Sequence, residues 1–179
     1  MAAGEESDFK TAFNRTADIL RTGFPGVRVM LGTAAADRAN IAACWPTTTV
    51  DALSIDFYNT FPWVNTQADF IDKITNSAGP SSLDRLRLLA QSKGVPVIVS
   101  EWGNASVDVD GGGGGDAPAF FSAMRGWLAQ HAGQGSGQVL AEVYFNVDTG
   151  YPQNYHLIDS GGAVNPDQPE SAATYRSLW

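Results

Sequence analysis

The sequence predicts an α/β fold, a partial TIM barrel in which four parallel βα units form half of a barrel wall. Four short apolar segments alternate with helical segments, which is typical of parallel sheets with helical crossovers. The length of 179 residues suits one domain, but a closed eight-unit barrel needs roughly 250 residues. We therefore expect a single domain over residues 1–179, whose sheet needs a partner or a missing N-terminal half to close.

The first helix follows a polar leader over residues 1–6. Ser7 is a candidate N-cap, and apolar residues recur at helical spacing as far as about residue 22. Gly23 and Pro25 end the helix, and residues 27–32 form the first predicted strand. The leader is short and acidic and has no apolar segment, so no signal peptide is predicted.

The second predicted strand, residues 50–59, shows the alternation expected of a barrel wall. Its large apolar residues Leu53, Ile55 and Phe57 fall on one face, which we expect to pack against helices. The other face carries small or polar residues and is predicted to line the interior. These residues are Ala52, Ser54, Asp56 and Tyr58.

Capping residues and helix breakers place the remaining helices. Thr66 is a candidate cap for a helix to about residue 76, and Ser81 or Ser82 for a second helix over residues 83–91. Asp116 is a candidate cap for the next helix, which has Pro118 in its first turn. Its predicted buried stripe is Phe120, Phe121, Met124, Trp127 and Leu128. Residues 138–148 form the fourth strand, and a closing helix begins at residue 169.

The loop over residues 104–116 is rich in glycine. It contains Asp108, Asp110 and five consecutive glycines, a spacing that only faintly resembles a calcium loop and lacks the terminal glutamate. We interpret it as a flexible surface linker.

The third predicted strand, residues 95–103, leads directly into Glu101. A run of valine and isoleucine bounded by glycines is typical of a strand buried on both faces. The carboxyl end of such a strand is where α/β sheets carry their functional residues. The alternative is a solvated acid that ends a strand.

The composition excludes several classes of function. A net charge of −8 provides no basic surface for nucleic acid, and no apolar segment is long enough to span a membrane. One cysteine and two separated histidines make a disulfide framework impossible and a zinc site improbable. We expect no metal and no cofactor, and five tryptophans are compatible with a sugar cleft.

Four segments in this order resemble the second half, strands five to eight, of a family 26 glycoside hydrolase, the β-mannanase-like retaining enzymes of the large (β/α)8 clan. The similarity runs through nearly all 179 residues. The matching segments are 50–59, 95–103, 116–121 and 144–146. The resemblance implies a carbohydrate-active domain that acts on or binds a β-linked, mannan-like polysaccharide, and an extracellular or cell-surface location.

The resemblance also implies roles for individual residues. Glu101 matches the catalytic nucleophile, and Tyr58 matches a tyrosine that donates a hydrogen bond to it. Trp102 and Trp63 lie where aromatic rings line the sugar cleft. The remaining substrate-binding candidates are Asn146 and Asp148, at the end of the fourth strand, and Asp56, which shares the inward face of Tyr58.

One part of the family pattern is absent. The family's general acid/base is a glutamate at the end of strand four, and this chain begins after that strand. Asp56 and Glu142 are internal alternatives, although both are better explained as structural. Two hypotheses therefore remain: a glycosidase half completed by another chain or a second copy, and a non-catalytic carbohydrate-binding or scaffolding module. A third explanation is a truncated reading of a longer gene.

Overall fold

The computed structural model describes residues 5–35, 40–77, 81–106, 113–149 and 154–179. Strands and helices alternate along these ranges, with a π-helical turn at Lys73–Ser77 after α3. The strands are β1 (Met30–Ala34), β2 (Ala52–Tyr58), β3 (Val97–Gly103) and β4 (Val139–Tyr144). The helices are α1 (Glu5–Gly23), α2 (Ile41–Cys44), α3 (Gln67–Asp72), α4 (Leu83–Ser92), α5 (Pro118–His131) and α6 (Pro169–Leu178).

The four strands form one parallel sheet in the order β1-β2-β3-β4. Sequential neighbours are paired throughout, and a helical segment follows each strand before the next begins. This arrangement confirms the predicted α/β class and is that of a half barrel made of four βα units. Every strand ends at the same edge of the sheet. The loops that follow β1, β2, β3 and β4 therefore lie at this edge.

The predicted alternation of β2 is confirmed. Leu53, Ile55 and Phe57 are buried in the core, while Ser54, Asp56 and Tyr58 are only half-buried on the opposite face. The predicted stripe of α5 is buried as well and packs into the same core. The helices therefore cover one face of the sheet, because the large apolar side chains of β2 and α5 meet there.

The opposite face of the sheet is open. Met30 of β1 is 43% exposed and Val143 of β4 is 54% exposed. Within the described ranges, β1 and β4 each have a strand neighbour on one side only. Exposed apolar groups beside two unpaired strand edges are features that proteins usually cover.

Several predicted boundaries are wrong. The helix already contains Glu5 and Glu6, so Ser7 is not its cap, and of the predicted leader only residues 1–4 lie outside the described residues. Acidic side chains near a helix start interact favourably with its positive end, which explains why a polar segment joins the helix. The predicted cap Thr66 is confirmed: its hydroxyl accepts from the backbone N–H of Asp69, and the Asp69 carboxylate in turn accepts from the backbone N–H of Thr66.

The prediction that Asp116 caps α5 is also wrong. Ala117 occupies the N-cap position, and Pro118 begins the helix as predicted. The carboxylate of Asp116 instead accepts hydrogen bonds from the backbone N–H groups of Glu170 and Ser171, at 2.9 and 2.7 Å. It therefore stabilises the N-terminus of α6, which is distant in sequence.

The described part of the glycine-rich loop is packed, contrary to the flexible linker that we predicted. Gly113 is buried, and a β-carbon there would lie 2.5 Å from the backbone oxygen of Ala105. Asp108 and Asp110 lie outside the described residues. No helix in the described ranges has both the length and the apolar character that a membrane crossing requires.

Candidate functional site

A β-bulge in β3 sets the direction of the Glu101 side chain. Ile55 pairs with Val99 and the next residue of β2, Asp56, pairs with Glu101, so Ser100 is an extra residue without its own partner. In a regular strand Glu101 would follow Val97 and Val99 towards the helices. The bulge reverses the alternation and turns Glu101 towards the open face.

Tyr58 and Glu101 form a hydrogen-bonded pair on this face. The hydroxyl of Tyr58 donates to Oε2 of Glu101 at 2.6 Å. Tyr58 is the last residue of β2, and Glu101 lies near the end of the adjacent β3. The structure thus brings together the two residues that we predicted as catalytic, at the carboxyl ends of parallel strands.

The environment raises the pKa of the Tyr58 hydroxyl far above its ordinary value. Burial is the largest cause, followed by the hydrogen bond to Glu101 and the negative charge of that carboxylate. The charge of Asp56 acts in the same direction. Tyr58 therefore remains a protonated hydrogen-bond donor to Glu101 throughout the physiological pH range.

The ring of Tyr58 is held in place by packing closely against the backbone of Gly103. A β-carbon on Gly103 would lie 3.3 Å from Cε1 of Tyr58 and 3.4 Å from the ring of Tyr155. The rings of Tyr155 and Phe145 pack edge-on against Tyr58, with centroids 5.1 and 5.9 Å away. Sequence reasoning missed Tyr155 and Phe145, because both follow β4 and only the fold brings them to β2.

Asp56 lies beside Glu101 on the same face and is held by two serines. Ser100 donates to Oδ1 of Asp56 at 2.7 Å, and Ser54 donates to Ser100 at 2.6 Å. The bulge residue Ser100 was missed from the sequence, where nothing marks it. These two hydrogen bonds fix the orientation of the Asp56 carboxylate.

The prediction that Trp102 lines the cleft is wrong. Its side chain is 0% exposed and lies on the helix-covered face, among rings that include Phe121 and Tyr144. The bulge explains this position, because turning Glu101 outward turns the next residue inward. The indole Nε1 of Trp102 donates to Oε2 of Glu142.

Glu142 faces the helices as well. Its Oε1 accepts a second indole bond, at 2.9 Å, from the C-terminal Trp179. Because Glu142 lies on the face opposite to Glu101, the structure does not support it as the internal acid. It is a half-buried carboxylate that joins β3, β4 and the end of α6.

Trp63 lies on the loop after β2, at the same edge of the sheet as Tyr58. Its ring packs edge-on against Phe61, which is 67% exposed, with centroids 5.2 Å apart. Its Nε1 is buried and has no hydrogen-bond partner. The two rings form a small aromatic surface at this edge of the sheet, and Phe61 is its accessible part.

Asn146 and Asp148 lie on the loop after β4. The amide of Asn146 is bonded to the backbone of residues 157–158, donating to the Ile158 carbonyl at 2.6 Å and accepting from Leu157 at 2.7 Å. Asn146 therefore holds a loop, and it also lies at the depression described next. Asp148 is exposed and lines, with His156, a shallow depression of about 630 Å³.

The arrangement can supply an oriented, accessible carboxylate with a tyrosine donor, and it can supply a second carboxylate fixed nearby. Among the described residues, no three His, Cys, Asp or Glu side chains converge as a metal site.

Comparison with models of known protein families finds no match for this chain, and comparison with curated proteins finds no significant match either.

Proposed function

We propose that this chain is half of a retaining glycoside hydrolase, with Glu101 as the nucleophile and a neutral, β-linked, mannan-like polysaccharide as the substrate. The observation that carries the proposal is the 2.6 Å hydrogen bond from Tyr58 to Glu101 at the strand ends. A nucleophilic carboxylate must be ionised and aimed, and a tyrosine donor contributes to both.

The chemistry requires two carboxyl groups about 5–5.5 Å apart. Glu101 attacks the anomeric carbon and forms a glycosyl ester, while a protonated acid donates its proton to the departing oxygen. Water then cleaves the ester, with the second group as base. Asp56 is a poor candidate for that acid, because it accepts a hydrogen bond from Ser100. The acid/base is therefore proposed to come from a partner.

The proposed partner is another polypeptide that continues the sheet and carries the acid/base; a second copy of this chain could close the sheet but would bring only the same residues. The single-sided pairing of β1 and β4 supports this, as do the exposed side chains of Met30 and Val143. Covering these groups would remove two strand edges and enclose the face that carries Glu101.

A dinitrophenyl β-mannoside tests the nucleophile without the partner, because such a leaving group needs little acid assistance. We expect slow release of dinitrophenolate by the wild-type chain and loss of release in Glu101→Gln. The matched control is Glu170→Gln, a change at an exposed glutamate on α6, which should retain the rate. A 2-fluoro mannoside with the same leaving group should add one sugar mass to the peptide that contains Glu101. Equal rates in Glu101→Gln and wild type would refute the proposal.

The second candidate function is a non-catalytic carbohydrate-binding or scaffolding module. The exposed ring of Phe61, packed on Trp63 at the functional edge of the sheet, favours it. Binding of manno-oligosaccharides that is lost in Phe61→Ala, with no release of dinitrophenolate by wild type, would establish this function in place of hydrolysis.

A further inference from the structure

Two asparagines directly follow the ends of the two strands that carry the Tyr58–Glu101 pair. Asn59 comes directly after Tyr58, and Asn104 comes three residues after Glu101; both are buried. Nδ2 of Asn59 donates to Oδ1 of Asn104 at 2.8 Å, and the backbone N–H of Asn59 donates to the Gly103 carbonyl at 3.0 Å. The strand pairing is thus continued beyond the sheet by side chains.

The amide of Asn104 makes four hydrogen bonds. Besides the bond from Asn59, Oδ1 accepts from the backbone N–H of Gly114 at 3.1 Å. Nδ2 donates to the Gly115 carbonyl at 2.6 Å and to Oε1 of Gln168 at 2.8 Å. A primary amide has two donor hydrogens and an acceptor oxygen with two lone pairs, so this side chain uses its full capacity.

The network reaches the loops on both sides of Glu101. On one side, Oδ1 of Asn59 accepts from the backbone N–H of Val64 at 2.9 Å, next to Trp63. On the other side, Nε2 of Gln168 lies 3.5 Å from the carbonyls of Asn154 and His156, the two neighbours of Tyr155. Asn104 therefore lies where the loops after β2, β3 and β4 are joined.

The glycines of the loop after β3 are part of this arrangement. A β-carbon on Gly114 would lie 2.2 Å from Nδ2 of Asn59 and 2.8 Å from Oδ1 of Asn104. Neither amide can move without breaking its bonds to the strands. The absence of a side chain at Gly114 is therefore required for the loop to approach the amides.

We propose that Asn104 is a positioning residue, whose amide holds the ends of β2 and β3 in the register that brings the Tyr58 hydroxyl onto Glu101. The effect of Asn104 on catalysis rests on the proposed function. Its role in holding Tyr58 against Glu101 does not. Because burial leaves no water to replace a lost partner, one disturbed amide affects all three loops.

The test replaces the amide by a carboxyl group, in Asn104→Asp. The shape and the two acceptor bonds are kept, but an ionised oxygen then faces the oxygens of Gly115 and Gln168. The readout is the Tyr58 hydroxyl proton in a proton NMR spectrum, where a short bond to a carboxylate gives a downfield signal, assigned by its absence in Tyr58→Phe. We expect this signal in wild type and its loss in Asn104→Asp at pH 8. It should return in part as the pH falls, because the protonated carboxyl group supplies one of the two donors that the amide provided.

Asn14→Asp is the matched control. Asn14 lies on α1, and its amide donates to Thr47 Oγ1 and accepts from the backbone of Thr48, so the same change is made away from the site. The hydroxyl signal should persist in this variant at every pH. If the Tyr58 hydroxyl signal persists at pH 8 in a folded Asn104→Asp variant, the proposal is overturned. If Asn104→Asp does not fold, Asn59→Asp applies, because its new oxygen faces Oδ1 of Asn104 in place of the Asn59 donor; an unchanged hydroxyl signal in that variant overturns the proposal.

The activity measurement is separate from the spectroscopic one. If the chain hydrolyses the dinitrophenyl mannoside, kcat should fall roughly tenfold to a hundredfold in Asn104→Asp and should recover at low pH together with the hydroxyl signal. If wild type hydrolyses nothing, the proposed function fails while the spectroscopic test still decides the role of Asn104. An unaltered kcat together with a lost hydroxyl signal would contradict the catalytic consequence.

Discussion

Tyr58 and Glu101 meet across two neighbouring parallel strands, with the Tyr58 hydroxyl 2.6 Å from Oε2 of Glu101. The pair depends on one extra residue, Ser100, which turns Glu101 to the open face of the sheet. Without this bulge the carboxylate would point at the helices, and Trp102 would take its place at the open face.

The first prediction concerns the ionisation of Tyr58. Glu101→Gln removes a negative charge and the charged acceptor, both of which raise the pKa of this hydroxyl, so the pKa of Tyr58 should fall. An absorbance titration near 295 nm should show one additional tyrosine ionising below the pH of alkaline unfolding, relative to wild type. Glu170→Gln should titrate as wild type does. An unchanged titration curve in Glu101→Gln would mean that burial alone, and not Glu101, holds the pKa of Tyr58 high.

The second prediction compares two glycines. Gly103→Ala places a methyl group 3.3 Å from the Tyr58 ring, so the ring must move by a few tenths of an ångström. We expect a loss of about 1 kcal/mol in the free energy of unfolding and a weaker Tyr58 hydroxyl signal. Gly126→Ala, within α5, has open space around the new methyl group and should stabilise by about 0.5–1 kcal/mol. Urea denaturation measures the free energy of unfolding of both variants. If Gly103→Ala changes it in the same way as Gly126→Ala does, the contact at Gly103 is unimportant.

The third prediction concerns Glu142. Glu142→Ala leaves the indole N–H of Trp102 buried without its acceptor and releases Trp179. An unsatisfied buried donor costs about 1–3 kcal/mol, so the urea midpoint should fall accordingly. The same change at the exposed Glu170 is the control and should lower the midpoint much less. A Glu142→Ala variant as stable as wild type would contradict the role that we assign to this carboxylate.

The fourth prediction concerns Lys73, whose ammonium group is buried beneath the loop after β2. Nζ donates to the carbonyls of Thr60 and Pro62, the latter at 3.1 Å, and burial lowers the pKa of Lys73 to about 8. Between pH 8 and the ordinary lysine value of 10.5, the unfolded chain binds more protons at this group than the folded chain does. Its contribution to stability therefore rises with pH in this window, by up to about 3 kcal/mol, while the full burial penalty is present below pH 8.

The measurement is the difference in unfolding free energy between wild type and Lys73→Met from pH 7 to 10. This difference should shift in favour of wild type as the pH rises, because the buried ammonium group loses its proton. Lys93→Met is the control at an exposed lysine that lies over the Trp45 ring, and its difference should vary little. A difference for Lys73→Met that is independent of pH would show that Lys73 titrates at its ordinary value.

The fold could be predicted because its main signals are local. The alternation of Leu53, Ile55 and Phe57 identified the buried face of β2, and Thr66 identified a helix start, each from a few neighbouring residues. Asp116 was misassigned because its carboxylate could serve either of two nearby helix starts. Only the packing of α6 against the loop after β3 shows which one it stabilises.

The site could be predicted less completely. Glu101 and Tyr58 were identified from strand ends and from a family resemblance, and the structure joins them. The position of Trp102 was wrong, because a bulge is a property of two paired strands and leaves no sign in one of them. Glu142 has the structural role that was preferred for it, although its indole partners were not predicted. Tyr155 and Asn104 were missed, since their partners are distant in sequence.

The sequence by itself determined which residues form strands and helices, and it determined that the strands run parallel, because these depend on local periodicity and on the crossovers. The tertiary structure alone decided which face Glu101 occupies and which loops converge beside it. The physical reason is that strand register and buried hydrogen-bond partners are set by pairing between segments, and a shift of one residue reverses the orientation of every side chain after it.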